Sequence, residues 1–164
     1  MNDKDEAVAE YLLSINVKFS AIHRGEAKDG DWEHDLWYCS FNRGLKARQM
    51  ELEYRTGTGH RVVMKGYGSN PGNLRPGTIG YANWKRQLPM TAVAPSAASV
   101  LHSVVMDSSA DSEPFGDWCS NLGYEEDSRK ALETYLLCQA QSQMFRKAFD
   151  HAERAALEKL LEDY

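Results

Sequence analysis

Glycine and proline recur between residues 56 and 95 so densely that no regular helix fits there. Glycine lacks a Cβ atom and proline lacks a backbone donor, so both interrupt periodic structure. Only Arg61 to Met64 suits a short strand. The 164-residue chain, 42% apolar, is long enough for one ordinary core. We therefore predict a single domain, 1–164, divided into 1–55, a loop at 56–95 and 96–164. Before Pro95, which closes the loop, its glycines and prolines are Gly57, Gly59, Gly66, Gly68, Pro71, Gly72, Pro76, Gly77, Gly80 and Pro89.

Charge divides the chain at the same places. Residues 54–95 contain six Lys and Arg and no Asp or Glu, a local charge of plus 6. Residues 1–53 carry a charge of minus 4 and residues 96–164 carry minus 7, within a total of minus 5. A cationic stretch between two anionic ones indicates a surface that selects anionic partners. A solvated, positively charged long loop is the alternative interpretation.

Residues 1–55 are predicted to form a helix followed by a three-stranded antiparallel meander. Asp3 or Asp5 is expected to cap the helix, and Asn16 to end it. Trp32 to Asn42 has the strongest strand pattern, with Trp37, Cys39 and Phe41 on one face. The first strand carries Val17, Phe19 and Ile22, the third carries Met50, Leu52 and Tyr54, and the helix buries Val8, Tyr11, Leu12 and Ile15.

Residues 96–164 are predicted to form a cluster of three or four helices. Ser96, Asp127 and Asp150 are the expected N-caps of three of them, and Pro114 fits the first turn of a fourth, short helix that stops near Gly123. Helices covering one face of a three-stranded sheet make an α+β fold. We expect the longest helix to bury Ala131, Leu132, Tyr135, Leu136, Ala140 and Phe145.

The order helix, three strands, helix is shared with the double-stranded RNA-binding domain. That module contacts phosphates through basic groups on its terminal helix. The C-terminal helices here are acidic. The charge pattern therefore does not favour that assignment.

The loop combines cations with aromatic side chains. Together they could neutralise phosphates and stack on bases, as single-strand binders do. An acidic protein partner, or neutralisation by the chain's own C-terminal helices, competes with this interpretation. The predicted binding surface consists of His60, Arg61, Lys65, Tyr67, Arg75, Tyr81, Trp84, Lys85 and Arg86.

No pattern fixes a reaction, and we predict no enzyme, catalytic residue or cofactor. The glycines within Thr56 to Arg61 could approach a phosphate, but a turn between strands explains them equally, and the P-loop ending is missing. A hydrolase centred on His60 would need a carboxylate such as Asp35 or Glu53 beside it.

A zinc site is the other chemical alternative. It would combine His102, Cys119 and Cys138 with His60 or His34, but no pair has ligand spacing, so no metal is predicted. Buried, reduced thiols are the simpler expectation for the three cysteines.

No membrane association is predicted. Residues 1–10 lack the apolar run of a signal peptide, and no stretch approaches the roughly 18 apolar residues of a membrane span. With an odd cysteine count and no close pair, this favours a cytoplasmic protein. The oligomeric state is left open.

A string of motifs resembles a widespread family of small tailed-phage and prophage proteins. The motifs are TGTGHR at 56–61, APSA at 94–97, VLHS at 100–103, WC at 118–119, LGY at 122–124, DSRKAL at 127–132 and EDY at 162–164, with Phe115, Thr134, Tyr135 and Cys138. The resemblance covers most of the chain. It implies expression in a bacterial cytoplasm during infection or from a prophage, and it implies no particular activity.

These observations together predict a non-enzymatic phage accessory protein. Its expected partner is a host protein or ribonucleoprotein complex in defence or nucleic-acid processing, and an anti-CRISPR-like inhibitor is one such role. The alternative is an accessory protein of phage DNA metabolism that binds single-stranded nucleic acid directly through the same loop.

Overall fold

The protein has an α+β fold, as the sequence predicts: an N-terminal helix, a three-stranded antiparallel sheet and C-terminal helices. A computed structural model describes residues 2–28, 33–44, 49–55, 79, 94–106 and 108–164. In chain order the elements are α1 (Asp3–Ser14), β1 (Val17–Lys28), β2 (Glu33–Arg43), β3 (Gln49–Arg55), α2 (Ala97–Met106), α3 (Ser109–Ser112), α4 (Phe115–Leu122), α5 (Arg129–Ala148) and α6 (His151–Leu161).

The sheet is a meander with the strand order β1-β2-β3. Residues 19, 41 and 50 lie side by side across it, as do residues 21, 39 and 52. Trp37, Cys39 and Phe41 of β2 are all buried, which confirms the predicted apolar face. We call this the inner face, because the helices pack on it. β1 carries a bulge between His23 and Gly25, and Gly25 has a φ of 102° that favours glycine.

The N-cap of helix α1 lies one residue before the first of the two predicted positions. Asn2, rather than Asp3 or Asp5, is the N-cap, and its side chain accepts a hydrogen bond from the Asp5 N–H at 2.8 Å. Asp5 occupies the third helical position of a capping box, where its carboxylate faces back to the Asn2 N–H. Asn16, with a φ of 60°, follows the helix, close to its expected end.

The main core lies between the inner face and four helices. Val8 and Leu12 of α1 are buried in it, as the helical spacing predicted. Helices α2, α5 and α6 supply the rest of the helical layer. The helical residues buried there are Val8, Leu12, Ala98, Val100, Leu101, Val104, Phe145, Ala148, Leu157 and Leu161, with Phe149 between α5 and α6.

A second, smaller core joins α3, α4 and the first half of α5. Trp118 is 1% exposed and stacks on Tyr124 with ring centroids 4.8 Å apart. Phe115 and Tyr135 pack around the same indole. The Tyr135 hydroxyl donates to the Glu113 carbonyl at 2.6 Å, which ties α5 to the chain before α4. Helix α5 therefore links two apolar clusters along its 20 residues.

The predicted apolar face of α5 is partly wrong. Leu132 and Leu136 are 44% and 53% exposed, and Ala140 is exposed as well. Ala131 and Phe145 are buried as expected, and Tyr135 is half-buried. Small side chains face the bulky aromatic cluster, because an indole and three other rings leave little room beside the helix. The buried face of α5 is formed by Ala131, Cys138, Gln141, Ser142, Phe145 and Ala148.

The caps of the later helices follow the sequence with two differences. Ser96 and Asp150 cap α2 and α6 as predicted. Ser128 caps α5 instead of Asp127, through a hydrogen bond from the Ala131 N–H at 3.3 Å. A further short helix, α3, which the sequence analysis does not predict, begins at Ser109. Gly123 ends α4 with a φ of 75°, as the pattern implied.

A partly buried ion pair ties the sheet to the last helix. The Arg43 guanidinium donates two hydrogen bonds to the Glu153 carboxylate, one of them at 2.7 Å. Glu153 is 6% exposed and also accepts from the Asp150 N–H at 2.9 Å, which completes the cap of α6. The hydrogen bond to Glu153 raises the pKa of Arg43 above its usual range. The Glu153 carboxylate thus accepts hydrogen bonds from the start of α6 and from the end of β2, and so links the two elements.

Replacing Arg43 should destabilise the fold more than replacing an exposed arginine. We expect Arg43→Met to lower the free energy of unfolding by about 2 to 3 kcal/mol, because it leaves the Glu153 carboxylate buried without its partner. Arg129→Met is the matched control, since Arg129 and Glu133 form an exposed helical pair, and it should cost less than about 0.5 kcal/mol. Urea denaturation measures both. Equal losses in the two variants would contradict this role of Arg43.

Candidate functional site

The nine predicted binding residues lie outside the described residues, as do the turn at 56–61 and the strand predicted at 61–64. The structure does describe the two positions where the basic segment, residues 56–95, joins the rest of the fold. It leaves from Arg55, the last residue of β3, which pairs with Leu36 of β2. It returns through Ala94 and Pro95 to the start of α2.

The departing end is fixed to α2 by Tyr54. Its hydroxyl interacts with the side chains of Ser99 and Ser103, and burial raises the pKa of Tyr54 above its usual value. Ser103 is 2% exposed, and its own hydroxyl donates to the Ser99 carbonyl at 3.0 Å. The end of β3 is therefore held, through Tyr54, against the helix that begins directly after the basic segment.

The returning end is fixed by Ser96. Pro95 is buried, and the Ser96 hydroxyl accepts from the Ser99 N–H at 3.1 Å and so caps α2. The same hydroxyl donates to the Asp5 carboxylate at 2.9 Å. Tyr164 donates to the same carboxylate oxygen, also at 2.9 Å. Three distant parts of the chain meet at this point.

The Asp5 carboxylate is the electrostatic centre of this group. Burial opposes its ionisation, but hydrogen bonds from Ser96, Tyr164 and the Asn2 backbone outweigh burial, so the pKa of Asp5 lies below its ordinary value of 3.8. In Tyr164, burial and the neighbouring carboxylate raise the pKa of the phenol. The ring of Tyr164 also packs against His102, with centroids 5.2 Å apart.

This arrangement suits anchoring better than catalysis. The Ser96 proton points at a carboxylate whose pKa is lowered, and such a carboxylate is a weak base for activating a hydroxyl. The Ser96 oxygen is also occupied as a helix cap. We call Asp5, Ser96 and Tyr164, with Tyr54 and its two serine partners, the anchor cluster.

A shallow acidic cleft lies beside the anchor cluster. It measures about 430 Å³ and is lined by Asn2, Asp3, Lys4, Asp163 and Tyr164. The Lys4 ammonium donates to the Glu162 carbonyl, which joins α1 to the C-terminal residues. The returning end of the basic segment thus enters the fold next to carboxylates.

The structure does not gather the alternative zinc ligands. Cys119 and Cys138 are buried in the small aromatic core, whereas His102 packs against Tyr164. Among the described residues no group of three His, Cys, Asp or Glu side chains could hold a metal ion. All three cysteines are buried, as expected, and burial raises the pKa of Cys39 to about 12. His34, by its side chain, and His60 lie outside what the structure describes.

Of the three residues named for the alternative hydrolase site, the structure describes the side chain of Glu53 alone. This residue is exposed on β3, one strand position before Tyr54. The side chain of Asp35 and all of His60 lie outside the described residues.

In the described part of the chain, no helix is both long and apolar enough to cross a bilayer.

Sequence reasoning identified Ser96 as a cap but missed its second partner. Asp5 appeared only as a candidate cap, and Tyr164 only within a motif. Ser96, Ser99 and Ser103 are spaced three and four residues apart, so they lie on one side of a helix whose other residues, apart from His102, are apolar. That polar stripe was the available signal for the anchor cluster.

Comparison of the chain with protein-family models, curated proteins and solved structures found no match.

The anchor cluster should make stability depend on pH through Asp5. Because the pKa of Asp5 is lowered in the fold, its stabilising effect is present above about pH 4 and is lost as the pH falls through the folded-state pKa. We expect Asp5→Asn to lose about 1 kcal/mol near neutral pH and progressively less toward pH 3. Urea denaturation across this range measures it.

Glu10→Gln, an exposed change on the same helix, is the control. The difference in unfolding free energy between this variant and wild type should not shrink toward pH 3. A difference between wild type and Asp5→Asn that is constant over the whole pH range would contradict the assigned hydrogen bonds.

Proposed function

We propose that this protein is a phage-encoded accessory protein that acts by binding rather than by catalysis. In this proposal the basic segment contacts a negatively charged surface of a host defence or nucleic-acid-processing complex, and so modulates or inhibits it. The setting is the cytoplasm of the bacterial host cell. The contact residues are His60, Arg61, Lys65, Tyr67, Arg75, Tyr81, Trp84, Lys85 and Arg86.

The observation that carries the proposal is the segregation of charge. Six cations and no carboxylate fall in residues 54–95 of a chain whose net charge is minus 5. A cationic stretch of this kind attracts a polyanion or an acidic patch and raises the rate of encounter. An acidic remainder helps to keep the protein from binding nucleic acid nonspecifically.

The anchor cluster supports the proposal from the structural side. Tyr54 at one end of the basic segment and Ser96 at the other are both bonded to the helical layer. Fixing both ends of a binding segment lowers the conformational entropy that it loses when it contacts a partner.

A second candidate, direct binding of single-stranded nucleic acid, is favoured by the aromatic residues of the same segment. Tyr67, Tyr81 and Trp84 are interspersed with its cations. Base stacking on such rings contributes about 1 to 3 kcal/mol per base in single-strand binders. This candidate shares the surface but differs in what the surface contacts.

Affinity capture from bacterial lysate, with and without nuclease, tests the first candidate. We expect wild-type protein to retain a defined host complex after nuclease treatment, and the triple reversal Arg75→Glu, Lys85→Glu, Arg86→Glu to lose it. The control reverses three cations of the helical part, Arg129, Lys147 and Lys159, with the same change in net charge. Recovery of the same complex by both triple variants would refute the assigned surface.

Fluorescence anisotropy with a labelled oligothymidylate tests the second candidate. Direct binding predicts an affinity that falls steeply with salt and drops by about tenfold or more in Trp84→Ala. Val105→Ala, a change away from the segment, controls for general destabilisation. No measurable binding at low salt would eliminate this candidate and leave the first one standing.

A further inference from the structure

The second face of the sheet, on which none of the helices α1 to α6 packs, has its own pattern of charge. We call it the outer face. From the strand register, residues 18, 42 and 49 form one row across it, residues 20, 40 and 51 the next, and residues 22, 38 and 53 the third. Ile22, on the β1 edge, is 61% exposed and lies directly opposite Tyr38 of the central strand. An exposed apolar side chain beside an aromatic one is compatible with a contact surface.

Opposite charges occupy the two edges of the outer face. The β1 edge carries Lys18 and Arg24, and the Arg24 guanidinium lies 4.3 Å from the centroid of the Tyr38 ring. The β3 edge carries Glu51 and Glu53, both exposed, and ends at the register position of Arg55. Tyr38 also hydrogen-bonds to Glu51, and this contact raises the pKa of the phenol. The face therefore has two cations on the β1 side, two exposed carboxylates on the β3 side before the strand ends at Arg55, and Tyr38 between them.

We infer that the outer face is the interface of a homodimer, in which β1 of one copy lies over β3 of its partner. A two-fold axis parallel to the strands reverses the order of the strands and places Arg24 of each copy over Glu53 of the other. A two-fold axis across the strands would instead stack β1 on β1 and oppose like charges. A face that is complementary to itself is what an isologous dimer requires.

The charge pattern also argues against other occupants of this face. A partner of uniform charge would meet like charge along one edge, which is unfavourable. A partner that pairs favourably with both edges needs carboxylates opposite the β1 edge and cations opposite the β3 edge. A second copy of this chain has both. This inference concerns residues outside the basic segment and does not depend on the proposed function.

The size of the face indicates a weak dimer. Three strands about 4.8 Å apart and about eight residues long cover roughly 380 Å² per copy. With the relief of the side chains, two such faces bury roughly 1,000 Å², at the lower end for specific interfaces. The predicted association is therefore in the micromolar range, and the net charge of minus 5 on each copy also opposes it.

Complementary charge reversal tests the arrangement between copies. In sedimentation equilibrium, Arg24→Glu alone and Glu53→Arg alone should each weaken the dimer by about tenfold, because each places like charges together twice. An equimolar mixture of the two variants should recover wild-type affinity, since every altered residue then meets an opposite charge in the partner. An effect within one chain would not be rescued by mixing.

Arg129→Glu and Glu158→Arg make the same charge changes on exposed helical sites and should leave the association unchanged. Circular dichroism and thermal unfolding confirm that each variant is folded. A wild-type protein that remains monomeric up to high micromolar concentration would overturn the inference. So would a dimer that Arg24→Glu weakens no more than Arg129→Glu does, or two single variants whose mixture fails to recover the affinity.

Discussion

The inner face of the sheet must be covered, and the rest of the architecture depends on this requirement. Three strands with Trp37, Cys39 and Phe41 on one side cannot keep that side in water, because hydrophobic burial is the main term favouring the fold. Helix α1 covers part of this side. The helices that complete the layer, α2, α5 and α6, come after the basic segment in the sequence. Arg43 and Glu153 then fix the last helix against the end of β2.

The covering of the sheet also determines where the basic segment begins and ends. Because β3 lies at one edge of the described sheet and α2 packs on the inner face, Tyr54 near the end of β3 lies beside Ser99 and Ser103 of α2. Tyr54 contacts α2, and Ser96 donates a hydrogen bond to Asp5 of α1. The same packing leaves the outer face, with its opposed edges of charge, outside the helical layer.

Much of the fold could be predicted because local patterns and packing agree. The strand alternation at residues 37, 39 and 41 and the caps at Ser96 and Asp150 depend on residues close in sequence. The face of α5 could not be predicted, because leucines such as Leu136 mark an apolar face by periodicity, whereas the fold buries small residues beside Trp118. The anchor cluster depends on contacts between residues 5, 96 and 164, which no local pattern encodes. The predicted binding residues remain predictions from charge and composition.

The central claim is that the cations of the basic segment are available to a partner and are not neutralised by the protein's own carboxylates. Acetylation rates of individual lysines, read by mass spectrometry, test it most directly. The account predicts that Lys65 and Lys85 react within about threefold of the exposed Lys159, with little change up to about 0.5 M salt. Protection of Lys65 and Lys85 by about tenfold at low salt, released at high salt, would show them paired with carboxylates of the same chain and would contradict the account.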